Sequence, residues 1–181
     1  MLTTSAGSPG PYVRLVKDAG LIHQHKVGST RQAIKAQELG VDVVIALHAC
    51  DTATDDAIYR GITAQAQLIF LAPCCHQELR PQLMPPADIA PLFRHGIQAE
   101  RMSESITDAL RCMYLEASGY SSTIQEFIAL EHTKRNLLIS AAINPKTVDR
   151  DMLFRKASDF QALFGIAHQR LADLLSLEPR V

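Results

Sequence analysis

Val41-Asp42-Val43-Val44-Ile45-Ala46-Leu47-His48-Ala49-Cys50-Asp51 decides how this chain folds. From Val41 to Leu47 the run is almost unbroken in apolar and β-branched residues. Apolarity without alternation over a strand's length predicts a central parallel strand buried on both faces. Thr52 or Thr54 then offers a cap for a helix from Asp55 to about Ala64. A second apolar run, Gln67 to Ala72, stops at Pro73. Strand, helix and strand in that order make a βαβ unit, whose strands lie parallel with a right-handed crossover.

Upstream, Gly7, Pro9, Gly10 and Pro11 make residues 1–11 an irregular lead-in. Tyr12 to Ala19 has apolar residues at helical spacing and meets Gly20, which predicts a helix with a glycine stop. Leu21 to Val27 reads as a strand. Gly28-Ser29-Thr30 supplies a turn and a cap for a helix from Arg31 to Leu39, closed by Gly40. Downstream, the Pro-rich residues 85–95 read as loop around a short helix. Ser105 to Ser118 is a helix carrying Ile106, Ala109, Leu110, Met113 and Ala117 on one face, and Gly119 ends it. Thr123–Leu130 and Asn136–Ile143 read as strands joined by the charged turn Glu131 to Arg135, a connection short enough for antiparallel neighbours only. From Asp149 one long helix is expected, with Leu153, Ala157, Phe160, Phe164, Ala167, Leu171 and Leu174 in a single stripe. That stripe docks on the domain or binds a partner. The fold class is therefore α/β: a mostly parallel sheet, an antiparallel C-terminal hairpin, then a C-terminal helix. Residues 12–145 form the main domain and 146–181 a helical extension.

The 181 residues, 47% hydrophobic, suffice for one buried core, and they exclude a disordered or fibrous chain. A formal net charge of −1 argues against broad electrostatic binding to nucleic acid, leaving room for a local basic patch. No apolar run approaches the roughly 20 residues that span a bilayer. The N-terminus does not read as a signal peptide, so the expected compartment is the cytoplasm. There the four cysteines serve as thiols, metal ligands or core residues rather than disulfides.

Ligands of open α/β sheets bind beyond the carboxyl ends of the strands. Here both ends are loaded: His48 and Cys50 follow the first, and Cys74, Cys75 and His76 the second. With the strands as neighbours, these five residues share one rim. His48 or His76 is a candidate base for a cysteine nucleophile at Cys50 or Cys75, and Asp51 is the acid nearest the strand end. Asp55 and Asp56 sit at a helix start, where the dipole favours carboxylates. His-x-Cys followed by Cys-Cys-His lacks the spacer of local metal grips. Adjacent residues on a strand face opposite ways, so only one of Cys74 and Cys75 is expected to aim at a given site and no metal is expected. No Gly-x-Gly and no phosphate-binding loop occur in the sequence.

The stretches Asp42–Asp55 and Ala72–His76 carry a resemblance. The chain is similar to the class I S-adenosylmethionine-dependent methyltransferases that have His-x-Cys-x-x-Ala-Thr-Asp after the fourth strand and Cys-Cys-His after the fifth. This group includes relatives of the tRNA ribose methyltransferases. The likeness runs from about Tyr12 to Ile143 and includes Glu131 to Leu137. It implies a partial Rossmann-like sheet, S-adenosylmethionine as cofactor, and an unidentified methyl acceptor, with RNA among the candidates. Gly28 and Ser29 then fall beside the adenine. Leu47, His48 and Ala49 border the methionine and the acceptor, with His48 or Asp51 as base. The first strand with its glycine-rich loop and the second with its ribose-binding acid have no counterpart. The chain thus resembles the carboxyl part of a truncated methyltransferase. It is expected to lack saturable cofactor binding at millimolar ligand and to self-associate through an exposed sheet edge or the C-terminal helix. The rival readings are a non-catalytic remnant acting as a binding or assembly module, and a small metal- or redox-active protein using the Cys/His rim.

Overall fold

The structure, a computed structural model, describes residues 12–17, 20–26, 41–47, 49–126 and 137–177, the first two segments by their backbone course alone. In chain order its elements are strands β1 (Tyr12–Lys17), β2 (Gly20–Lys26) and β3 (Val43–Leu47), helix α1 (Thr52–Thr63) and strand β4 (Leu68–Ala72). Two short 3-10 turns follow (Arg80–Gln82 and Ala90–Phe93). Then come helix α2 (Gly96–Ala117), strands β5 (Tyr120–Glu126) and β6 (Leu137–Ile143), and helices α3 (Arg150–Leu163) and α4 (Arg170–Ser176). The strands form one sheet in the order β2-β1-β3-β4-β6-β5.

β3 and β4 are parallel neighbours, in register from Val43 opposite Leu68 to Leu47 opposite Ala72, as the two apolar runs imply. The expected hairpin is also present: β5 and β6 are antiparallel, and β6 inserts beside β4. Burial differs from expectation. Val44, Ala46, Ile69, Leu71, Ile139 and Ala141 are buried on one face, while Val43, Ile45, Phe70 and Leu47 remain partly or well exposed. Among the described residues the helices α1 and α2 touch the sheet and each other, so they cover that one face. The continuous apolar run conceals this alternation because both faces of β3 and β4 are apolar.

Three further expectations are corrected. Tyr12–Lys17 is a strand, not a helix, and Gly20 begins β2 instead of stopping a helix. Over six residues helical and alternating spacing cannot be told apart, and two intervening residues permit an antiparallel hairpin. With β1 antiparallel to both β2 and β3, the sheet is mixed: one of its five neighbouring pairs is parallel, so it is not mostly parallel. The single long C-terminal helix is two helices. Gly165 takes φ 67°, the left-handed conformation that ends a helix, and the Gln169 side chain accepts from the Ala172 amide to start α4. The apolar spacing in the sequence runs on across the break, so periodicity alone misses it, although Ile166 and not Ala167 turns inward there.

The helical extension folds back on the domain. α3 lies against α2 and α4 against α1. Arg150 donates to the carbonyls of Ala117 and Ser118, satisfying the end of α2, while the buried Tyr120 hydroxyl donates to Gly61 and Ala66 at the end of α1. At Gly61 α1 comes close to the sheet. A Cβ there would lie 2.5 Å from Ile69 Cδ1 and 2.9 Å from its Cγ1. Gly61→Ala overpacks this contact and is expected to lower stability by about 1–3 kcal/mol, read as a lower urea midpoint with an unchanged m-value.

Candidate functional site

Beyond the carboxyl ends of β3 and β4, residues 49–51 and 73–79 form two loops side by side. Backbone and side chain lock them together. The Asp51 amide donates to the Cys75 carbonyl (3.1 Å), and Asp51 Oδ1 accepts from the amides of Gln77 (2.8 Å) and Glu78 (3.1 Å). To make these bonds Asp51 adopts φ 52°, ψ −126°, a backbone that residues other than glycine rarely take. Asp51 occupies the N-cap position of α1, yet its side chain makes no cap bond. The Thr54 hydroxyl donates to the Ala49 carbonyl. Capping by Thr52, Thr54 or an aspartate is therefore not what starts this helix.

The locked loops bring three thiols together. Cys50 Sγ lies 2.9 Å from Cys74 Sγ, Cys75 Sγ lies 3.8 Å from Cys74 Sγ, and all three fall within 4.8 Å of one another. None is in a disulfide. Both members of the Cys74-Cys75 pair face one place, contrary to the strand argument, because the pair lies beyond the end of β4 and outside its pleat. Burial and the neighbouring thiols push the Cys74 thiol up to about 12, so it stays protonated at neutral pH and is a poor nucleophile as it stands.

Behind the rim lies an ionic cluster that the sequence does not announce. Arg111, fully buried on α2, donates from Nε and Nη2 to the two oxygens of Asp55 (3.1 and 2.7 Å). Its Nη1 reaches Asp108 Oδ1 (3.0 Å) and its Nη2 also reaches the Asp51 carbonyl (2.8 Å). The Gln169 amide donates to Asp55 Oδ1 (2.7 Å). Burial pulls the guanidinium's pKa down, and the two carboxylates more than offset this, holding it above its ordinary value. Asp55 thus serves a buried pairing rather than the helix dipole, and Asp56 reaches Arg170 (2.8 Å).

Of the residues singled out in the sequence, Cys50, Asp51, Cys74 and Cys75 share the rim. His76 turns inward, its Nε2 bonded to Asp108 Oδ1 at 2.9 Å, with the ring almost wholly buried. Its Nδ1 and Asp108 Oδ2 have no hydrogen-bond partner among the described residues. Leu47 is 45% exposed at the strand end, and Ala49 is buried. His48, Gly28, Ser29, the helix expected over Arg31–Leu39 and the turn Glu131–Arg135 lie outside the described residues.

Residues 14–82 match the model of a protein family described as a methyltransferase domain. The matched segment contains β3, α1, β4 and every residue of the thiol cluster, and it supports a methyltransferase family and with it a transferase. No curated protein and no solved structure matches the chain.

Two outcomes follow from the buried charges. Arg111→Leu leaves Asp55 and Asp108 without their cation and is expected to cost about 3–5 kcal/mol in urea unfolding. Arg111→Lys should recover little of this, because an ammonium cannot match the forked contacts. Glu78, half-buried beside the Asp51 clamp, has its carboxyl pushed up to about 7 by burial, with Asp55 and Asp51 adding to the rise and the Arg170 amide and Arg111 opposing it. Its folded pKa thus exceeds the unfolded value, so between about 4.5 and 7 the folded chain holds the extra proton and stability falls as pH rises through that window. Glu78→Gln should remove this slope, raising stability at pH 8 relative to pH 5 by about 1 kcal/mol once solvent screening is allowed for.

Proposed function

We propose that this chain is an S-adenosylmethionine-dependent methyltransferase of class I type, built on a partial Rossmann-like sheet. One observation carries the reading. The segment matching a methyltransferase domain contains a parallel strand pair linked by a helix, and the polar residues of that segment converge at the carboxyl ends of those strands. That is where ligands of open α/β sheets bind. The antiparallel β5–β6 hairpin beside β4 agrees with the same architecture.

The residues present fit the methionine end of the donor. Leu47 offers an exposed apolar wall, Ala49 is small and buried, and the Asp51 carboxylate near the rim favours a cationic sulfonium. Gly28 and Ser29 are assigned to the adenine side. When bound, S-adenosylmethionine supplies an electrophilic methyl group. In-line transfer demands position more than covalent help, so the main task of this chain is to orient the acceptor and exclude water. His48 is the assigned base, taking a proton where the acceptor is an alcohol or a protonated amine. Asp51 and His76, each tied to a neighbouring loop or helix, position the rim, and Cys50 and Cys75 shape the pocket. RNA heads the candidate acceptors through the resemblance to tRNA ribose methyltransferases.

The activity is placed in the cytoplasm, where the thiols stay reduced. Among the described residues no helix is long and apolar enough to cross a membrane. Self-association is assigned to the outer strands of the sheet, β2 and β5. α3 and α4 already pack on α2 and α1, so the C-terminal helices serve assembly less well.

Ultraviolet cross-linking of methyl-labelled S-adenosylmethionine tests the function even where affinity is only millimolar. Label suppressed by excess S-adenosylhomocysteine and mapped to peptides spanning residues 41–56 is the expected result, weakened in Leu47→Asp. Labelling that the competitor leaves unchanged, or none at all, overturns it.

A further inference from the structure

We infer that Cys50, Cys74 and Cys75 form a three-thiolate binding site for zinc(II), with the remaining coordination position open to solvent or an incoming ligand. The three sulfurs come from two loops, and each of the usual reasons for a buried cysteine fails for them. Free cysteines that serve as core filler are among the most buried residues. Here Cys50 is exposed and Cys74 and Cys75 are only partly covered, yet their sulfurs lie within 4.8 Å of one another. Thiols are weak hydrogen-bond partners, so mutual attraction does not account for a cluster of three.

The distances suit the ion. Zinc–sulfur bonds of about 2.3 Å in a tetrahedron set sulfurs roughly 3.8 Å apart, and Cys75 Sγ stands 3.8 Å from Cys74 Sγ. Cys50 Sγ, at 2.9 Å from Cys74, must move out by about 1 Å to complete the set. Its exposed side chain has the freedom to do so.

The loops are already fixed in the arrangement that binding needs. The Asp51 amide holds the Cys75 carbonyl, and the Asp51 carboxylate holds the amides of Gln77 and Glu78. The left-handed backbone of Asp51, next to Cys50, is maintained by these bonds and by Arg111 on its carbonyl. Strain of this kind persists where surrounding contacts over-determine it, and here it sets the first thiol against the other two. Three soft donors select zinc over magnesium or calcium, and a position left to solvent is the mark of a reactive rather than a purely structural zinc site. The site does not depend on the methyl-transfer reading.

The test uses the whole untagged chain, reduced with a phosphine and freed of metal by chelation. Cobalt(II) should bind at one equivalent, giving near-ultraviolet thiolate-to-cobalt charge-transfer absorption and intense tetrahedral visible bands, all bleached by zinc. Cys50→Ser, Cys74→Ser and Cys75→Ser should each weaken binding by at least roughly tenfold, the loss that removing even a supporting contact brings at such sites. Cys112→Ser, on α2 and outside the cluster, should leave it unchanged. Should a serine variant fail to fold, the wild-type chain gives a second readout: zinc should protect Cys50, Cys74 and Cys75 from alkylation, mapped by mass spectrometry, and leave Cys112 unaffected. Absence of the charge-transfer band, its persistence in all three serine variants, or alkylation of the three cysteines untouched by zinc overturns the proposal.

Discussion

Arg111 is a cation without access to water, and that fact constrains everything around it. A guanidinium can be buried only where carboxylates and carbonyls replace its hydration, and Asp108 on its own helix and Asp55 and the Asp51 carbonyl at the start of α1 do so. Each partner is itself tied elsewhere. Asp55 accepts from Gln169, which starts α4; Asp108 holds His76; and Asp51 clamps the loop after β4. One side chain thus sets α1, α2, α4 and both rim loops against each other. Such a cluster does not have to add net stability over an apolar core of equal volume. Its effect is geometric: any shift of one loop by an ångström would break bonds to a charge that has nowhere else to go.

The parallel pair and the C-terminal hairpin were legible in the sequence because their signals are local. The runs at 43–47 and 68–72 are too apolar for anything but strands, and the span between them admits a helix. The hairpin was legible because the ten residues between its strands are too few for a parallel crossover. The first hairpin was not, since Tyr12–Lys17 satisfies two periods at once and only its partners β2 and β3 decide between them. At the C-terminus most of the apolar stripe from Leu153 to Leu174 packs inward, but Ala167 is exposed and Ile166 is buried in its stead, because the helix breaks at Gly165. Gly165 was the available signal, with Gln169 as an unusual cap four residues later.

The rim was legible for a different reason: cysteine, histidine and aspartate directly after buried strands are conspicuous in any α/β chain. What could not be read is which of them face each other. His76 sits beside two rim cysteines in sequence and yet turns to Asp108 in space, because the chain leaves the pleat at Pro73 and strand alternation ceases to apply. Asp108 and Arg111, three residues apart, look like the solvated side of an amphipathic helix. Periodicity marks where apolar residues point and is silent on charged residues flanking the stripe. Their burial becomes visible only when Asp55, more than fifty positions away, arrives opposite them.

The bonds that hold the rim loops also govern the state of the sulfurs they carry. Burial and the neighbouring thiols raise the Cys74 pKa, so in the metal-free chain that thiol is protonated and weakly nucleophilic. The clamp at Asp51 holds the loop that carries Cys74 and Cys75 against the one that carries Cys50. The strained backbone at Asp51 thus serves the grouping of three thiols drawn from two loops.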